Sequence, residues 1–180
     1  LPLNKSLANR AQIIAALYPH LTLNTIPEAE DSRFLAQALS SAQRDLYLGA
    51  GGTTLRFATA YWATQPNTLK VLSGTDALNS RPIAELVDAL NALGADITYE
   101  GRDQHPPLRI CGASITHSSL AFGTLKSSQF LTALLLIGPA LPKGLSLTWE
   151  SLPSRSYVEM TVAMMKELGF DITLDKNSVT

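Results

Sequence analysis

Leu93-Gly94-Ala95-Asp96-Ile97-Thr98 returns 75 residues later as Leu168-Gly169-Phe170-Asp171-Ile172-Thr173. Each copy closes a helical stretch with glycine and runs into a strand pattern, so the chain carries a structural repeat. Upstream of the first copy, 82–93 is amphipathic and 53–64 is apolar on nearly every side; upstream of the second, 157–168 follows the equally apolar 128–141. The same pair opens the chain, as 6–18 followed by 29–42. A helix that is apolar all round belongs inside a protein, whereas an amphipathic one meets solvent along one side. Strand patterns fill the intervals at 22–26, 45–48, 68–72, 96–99, 114–117, 145–149 and 171–174. The reading is an α/β (α+β) chain of βαβ-type units with helices packed inside as well as outside. Three copies are expected, roughly 1–49, 50–119 and 120–180. The third has no strands to close it after its surface helix, so it is expected to be incomplete.

Composition narrows the class. The chain has 180 residues, of which 46% are hydrophobic and 16% charged, against about 25% charged in a typical globular domain. More surface than usual is therefore expected to be covered by protein. A net charge of -1 gives no global attraction to nucleic acid or to an anionic membrane, so neither is expected as a partner. No apolar run approaches the roughly 18 residues of a membrane span, and a cytoplasmic or organelle-interior protein is expected. Cys111, the lone cysteine, reads as a small buried hydrophobe in a strand. His20, His105 and His117 lack metal-ligand spacing, so no metal and no cofactor is expected. Trp62, Trp149 and the Met164-Met165 pair read as core.

If the three apolar helices are equivalent, their starts should lie on one side of the molecule. The first begins Lys5-Ser6-Leu7-Ala8-Asn9-Arg10, an ammonium, a hydroxyl and a guanidinium within two turns. A helix start has unpaired N–H groups and a partial positive charge, and added cations make it attract phosphate or carboxylate. Ser6 as a plain cap, with two solvated cations, is the competing reading. The second begins Gly49-Ala50-Gly51-Gly52-Thr53-Thr54, with Arg56 one turn in. It lacks the third glycine of a dinucleotide fingerprint and the lysine of a P-loop, which excludes both. The third begins Lys126-Ser127-Ser128-Gln129-Phe130, with more hydrogen-bonding side chains than one cap requires. Asn79-Ser80-Arg81-Pro82 and Ser154-Arg155-Ser156-Tyr157 open the outer helices, and Arg81 is either a solvated cation or a second anion clamp.

Taken in order, KSLANR, LGAGGTTLRF, SRPIAELVDALNALGA, SSQFLTALLL and SRSYVEMTVAMMKELG resemble the 5-enolpyruvylshikimate-3-phosphate synthase family along essentially the whole chain. The resemblance implies an enolpyruvyl transferase-like inverse barrel domain of three βαβαββ units with buried parallel helices. It also implies a second, C-terminal domain of the same polypeptide as partner, and a protein that is monomeric when full length. The implied reaction moves the enolpyruvyl group of phosphoenolpyruvate to the 5-hydroxyl of shikimate 3-phosphate and releases phosphate, with no cofactor. Carried over by motif, Lys5, Ser6, Arg10, Ser127, Ser128, Gln129, Ser154 and Tyr157 would contact shikimate 3-phosphate. Lys5, Gly52, Thr53, Arg81 and Gln129 would contact phosphoenolpyruvate. The acid/base residues would belong to the other domain, so no catalytic residue is assigned in this chain, and the 180 residues alone are expected to be inactive. Ala50 stands where asparagine is common, Ala77 and Leu78 where an Arg-Met pair is frequent, and Ser156 where proline is frequent. Two other readings are carried: a transferase acting on UDP-N-acetylglucosamine with the same donor, and a non-catalytic module that binds a phosphorylated metabolite.

Overall fold

Helix ends set the frame. In the computed structural model, which describes residues 4–18, 20–21 and 29–180, the first helix runs Lys5–Leu17 (α1). Its cap is Asn4, whose Oδ1 accepts the Ser6 backbone N–H at 2.9 Å. Ser6 is thus one residue inside the helix and does not cap it, contrary to the plain capping reading. Two further apolar helices follow as expected, Gly52–Ala63 (α3) and Ser128–Ile137 (α6), the latter continued by a 3-10 turn at Gly138–Ala140. The outer helices are Glu30–Ser40 (α2), Ala84–Leu93 (α5) and Ser156–Glu167 (α7), with a short unanticipated helix Asp76–Asn79 (α4). Gly94 and Gly169 adopt φ of 109° and 90°, the left-handed turn that ends α5 and α7.

Burial separates the three inner helices. α3 and α6 are buried almost all round, through Leu55, Phe57, Ala58, Leu131, Leu134 and Ile137 among others. α1 is not: its buried positions include Asn9, Arg10 and Gln12 beside Ala8, Ile13 and Ile14, and Ala15 to Tyr18 are half-buried. The expectation of three equally apolar helices therefore holds for two, and the polar face of α1 points to work other than packing. α1, α3 and α6 each touch the other two, and each fully buried Leu, Ile or Phe contributes about 1.5–3 kcal/mol.

Two sheets flank this bundle. Asp45–Tyr47 (β1), Leu69–Ser73 (β2), Asp96–Tyr99 (β3) and Leu108–Cys111 (β4) form one sheet in the order β1-β2-β4-β3. β1 and β2 are parallel, with Asp45 opposite Val71, and α3 is their crossover; β4 is antiparallel to both β2 and β3. Ser119–Thr124 (β5), Ser146–Ser151 (β6) and Ser178–Val179 (β7) form the second sheet. Here β5 and β6 are parallel across α6, and β7 is antiparallel to β6 as β4 is to β2. The order β1-α3-β2-α5-β3-β4 is thus matched by β5-α6-β6-α7-β7.

Several strand expectations change. Segment 114–117 is irregular, its Thr116 and His117 N–H groups donating to the carbonyl that ends α5, while the strand lies just beyond it in β5. The alternating half-burial of Leu120 and Phe122 is the period-two signal that marks it. Segment 171–174 has only an isolated bridge, Leu174 to Val179. Reciprocal bonds between Thr173 and Thr180 and the Asp175 N–H to the Ser178 carbonyl make it one arm of a tight hairpin. Its other arm, β7, supplies the third copy with a closing strand that the sequence pattern did not show. The expected strand 22–26 lies outside the described residues. Trp62, Trp149 and Met165 are buried as expected, Met164 is half-buried, and Cys111 is half-buried rather than buried.

Candidate functional site

The starts of α1, α3, α6 and α7 converge on one cleft of about 240 Å3. Lys5, Ser6, Asn9 and Arg10 line it from α1, Thr53 and Phe57 from α3, Lys126 to Gln129 from the start of α6, and Pro153, Ser154 and Tyr157 from the α7 entry. Among the described residues this lining holds three cations and no carboxylate. The amide groups of the three inner helices and one outer helix add their positive ends to the same volume. An anion is what such a lining stabilises.

Arg10 shows it most directly. Its side chain is only 3% exposed, and it has no acidic partner among the described residues. Its Nε donates to Thr161 Oγ1 at 2.7 Å, and its two Nη atoms donate to the carbonyls of Ser6 at 2.7 Å and Tyr157 at 3.4 Å. Burial pulls its pKa down to about 10, partly offset by the Tyr157 phenol nearby. A buried charge held by neutral acceptors costs several kcal/mol unless an anion joins it.

The α6 entry divides its polar groups by task. Ser127 Oγ caps the helix by accepting the Gln129 N–H at 3.2 Å, leaving the Ser128 hydroxyl and the Gln129 amide beyond what the cap needs. Gln129 Oε1 accepts from Arg56 Nη1 at 2.9 Å, and the same nitrogen donates to the Gly52 carbonyl at 2.9 Å. The Arg56 guanidinium lies over the Phe130 ring at 5.0 Å. Its pKa is lowered first by burial and then by the charge of Arg81. A methyl group placed on Gly52 would stand 2.7 Å from an Nη of both Arg56 and Arg81, so glycine is what lets two guanidiniums meet there. Ser154 has φ of 51°, a left-handed conformation uncommon outside glycine, asparagine and aspartate, and it sits where the chain turns into α7.

All eight residues expected at the shikimate phosphate line the cleft. Of the five expected at the donor, Lys5, Thr53 and Gln129 line it; Gly52 stands beside it, joined to Gln129 through Arg56, and Arg81 lies against Gly52. Asn9, Phe57 and Lys126 also line the cleft, and Arg56 and Asp31 reach its polar groups, although none was selected from sequence. Asn9 is signalled by its place three residues after Ser6, one helical turn along the same face. Lys5 Nζ meets Asp31 Oδ2 at 2.8 Å. His20 and His117 are exposed and His105 is buried beside the Asp103 carbonyl, away from the cleft.

A family model described as EPSP synthase (3-phosphoshikimate 1-carboxyvinyltransferase) matches residues 28–180. A 3-phosphoshikimate 1-carboxyvinyltransferase of Bacteroides fragilis (strain YCH46) is 39% identical over 171 residues, covering 94% of this chain and 42% of the relative. One from Cellvibrio japonicus (strain Ueda107) is 35% identical over 206 residues, covering 97% and 47%. The chain thus spans less than half the length of these curated relatives. Among solved structures, the EPSP synthase from Acinetobacter baumannii superposes with a TM-score of 0.79 at 22% identity, covering 99% of this chain and 46% of that one. That likeness is one of fold.

Proposed function

Because this chain belongs to the EPSP synthase family, we propose that it forms one wall of a site that moves the enolpyruvyl group of phosphoenolpyruvate to the 5-hydroxyl of shikimate 3-phosphate. The observation that carries the reading is the cleft itself: among the described residues its lining holds three cations, no carboxylate and all eight residues expected at shikimate 3-phosphate. Arg10, Ser6, Ser127, Ser128, Ser154 and Tyr157 hold the phosphate and ring of shikimate 3-phosphate. Lys5 and Gln129 lie between the two substrates, and Gly52, Thr53 and Arg81 hold phosphoenolpyruvate. Both substrates are anionic, so bringing them together requires positive groups from several directions.

In the reaction, the 5-hydroxyl oxygen bonds to C2 of phosphoenolpyruvate and loses its proton while C3 gains one, giving a tetrahedral intermediate. The C2–O bond to phosphate then breaks as C3 gives up a proton, restoring the double bond. The roles of this chain are charge neutralisation and orientation. The groups that move protons are assigned to the remaining length of the polypeptide, a C-terminal domain that closes over the cleft and expels water. The full-length protein is proposed to be monomeric and cytoplasmic; among the described residues no helix is long and apolar enough to cross a membrane.

Calorimetric titration of the full-length polypeptide tests this. Shikimate 3-phosphate should bind and UDP-N-acetylglucosamine should not, and phosphate should appear only when both proposed substrates are present. Binding of the sugar nucleotide in place of the shikimate ester would overturn the reading. So would robust phosphate release by residues 1–180 alone, which would require acid/base groups within this chain.

A further inference from the structure

Asp31 has no part in the substrate assignment, yet its carboxylate holds Lys5, which is assigned to both substrates. The Lys5 Nζ to Asp31 Oδ2 distance is 2.8 Å, with the ammonium side chain 54% and the carboxylate side chain 24% exposed. Asp31 lies in the first turn of α2, and that turn is pinned from two sides. Its own carbonyl accepts from Thr54 Oγ1 on α3 at 3.0 Å, and the next residue, Ser32, donates from its buried hydroxyl to Asn9 Oδ1 on α1 at 2.7 Å. A methyl group on Gly51 would come within 2.9 Å of the Asp31 carboxylate, so the glycine before α3 gives it room. The carboxylate is therefore a fixed post, and the four-carbon stem of Lys5 is the mobile arm.

We propose that Asp31 is a positioning residue that holds the Lys5 ammonium beside the start of α3, leaving its other N–H donors to meet the anionic substrates. The inference rests on the substrate reading above. A half-exposed ion pair adds little to stability, so what Asp31 changes is where the charge stands. Its own negative charge also repels an anion nearby. The two effects oppose each other, and positioning is the larger: a lysine free to extend into solvent loses rotamer freedom on each binding event, whereas a tethered one has already lost it.

A double-mutant cycle in the full-length polypeptide tests this, with Asp31→Asn, Lys5→Met and both together. The readouts are KM for phosphoenolpyruvate, kcat for phosphate release and calorimetric affinity for shikimate 3-phosphate. Asp31→Asn should raise KM for phosphoenolpyruvate roughly two- to fivefold with kcat changed less than about twofold, and should add nothing in the Lys5→Met background. An unchanged or lowered KM overturns the proposal. So does an equal effect in both backgrounds, which is what a purely structural role would produce. If the native protein neither binds shikimate 3-phosphate nor releases phosphate, the substrate reading has failed, and the same cycle read through affinity for inorganic phosphate still decides the role of Asp31.

Discussion

The inner helices have a hollow at each end, and the two hollows differ more in chemistry than in size. At the helix starts, the cleft of about 240 Å3 is lined by Lys5, Arg10, Lys126 and a set of hydroxyl and amide groups. At the helix ends, a hollow of about 290 Å3 is lined by Ala16, Leu17, Thr64, Gln65, Ser114, Leu141 and other uncharged residues. The same bundle thus presents N–H groups and cations at one pole and carbonyl groups with neutral side chains at the other. Volume alone would favour the second. What makes the first a site is that the helix field and the added charges have one sign, and that a buried cation there lacks an acidic partner among the described residues.

The comparison breaks most readily at Arg10. Arg10→Met keeps much of the side-chain volume and removes the buried charge, and the affinity of the full-length protein for shikimate 3-phosphate should fall about 100-fold by calorimetry. A loss under threefold would mean that the cationic pole is not where that ligand binds. Titration of the same residue gives the next effect. Its folded pKa of about 10 lies below the usual guanidinium range, so the empty cleft loses this charge as pH rises through 10, while a bound anion would retain the proton. Affinity should therefore be flat below about pH 9 and fall by up to about tenfold per unit above 10, with a shallower fall in Arg10→Met. For folding the sign is opposite: from about pH 10 up to the usual guanidinium range the unfolded chain binds more protons, so burial of Arg10 becomes less costly there.

Smaller effects sharpen the division within the cationic pole. Lys5→Met should weaken both substrates about tenfold, whereas Arg81→Ala should raise KM for phosphoenolpyruvate about tenfold and leave shikimate 3-phosphate within about twofold. Equal losses of both ligands in the Arg81 variant would remove its assignment to the donor. At the opposite pole, Ser114→Ala should change neither affinity by more than about twofold. A larger change would show that the neutral hollow communicates with the site.

Much of the architecture was legible because it rests on periodicity. The apolar runs around Leu55 and Leu134 read as buried helices, the glycines at 94 and 169 as helix ends, and the alternation in β1 to β4 as strands. What misled was local. The cap of α1 passes to Asn4 because an Asn side chain one residue before the helix reaches the Ser6 N–H. The β5 strand was displaced by a few residues because polar Ser119 and Thr124 conceal the half-buried Leu120 and Phe122. β7 was missed because two residues carry no period at all.

Spacing along the chain by itself determined the class of the fold, the helix starts as the place to look and the residue types able to hold an anion. Those follow from forces that act within one or two turns: burial of apolar faces, caps and the helix dipole. Only the tertiary structure decided that Lys5, Arg10, Gln129 and Tyr157, up to 152 positions apart in the chain, share one lining. It alone brought Arg56 to Gln129, set Arg81 beside Gly52 and gave Lys5 its carboxylate. Charges attract over distances that folding creates, and sequence separation does not encode those distances.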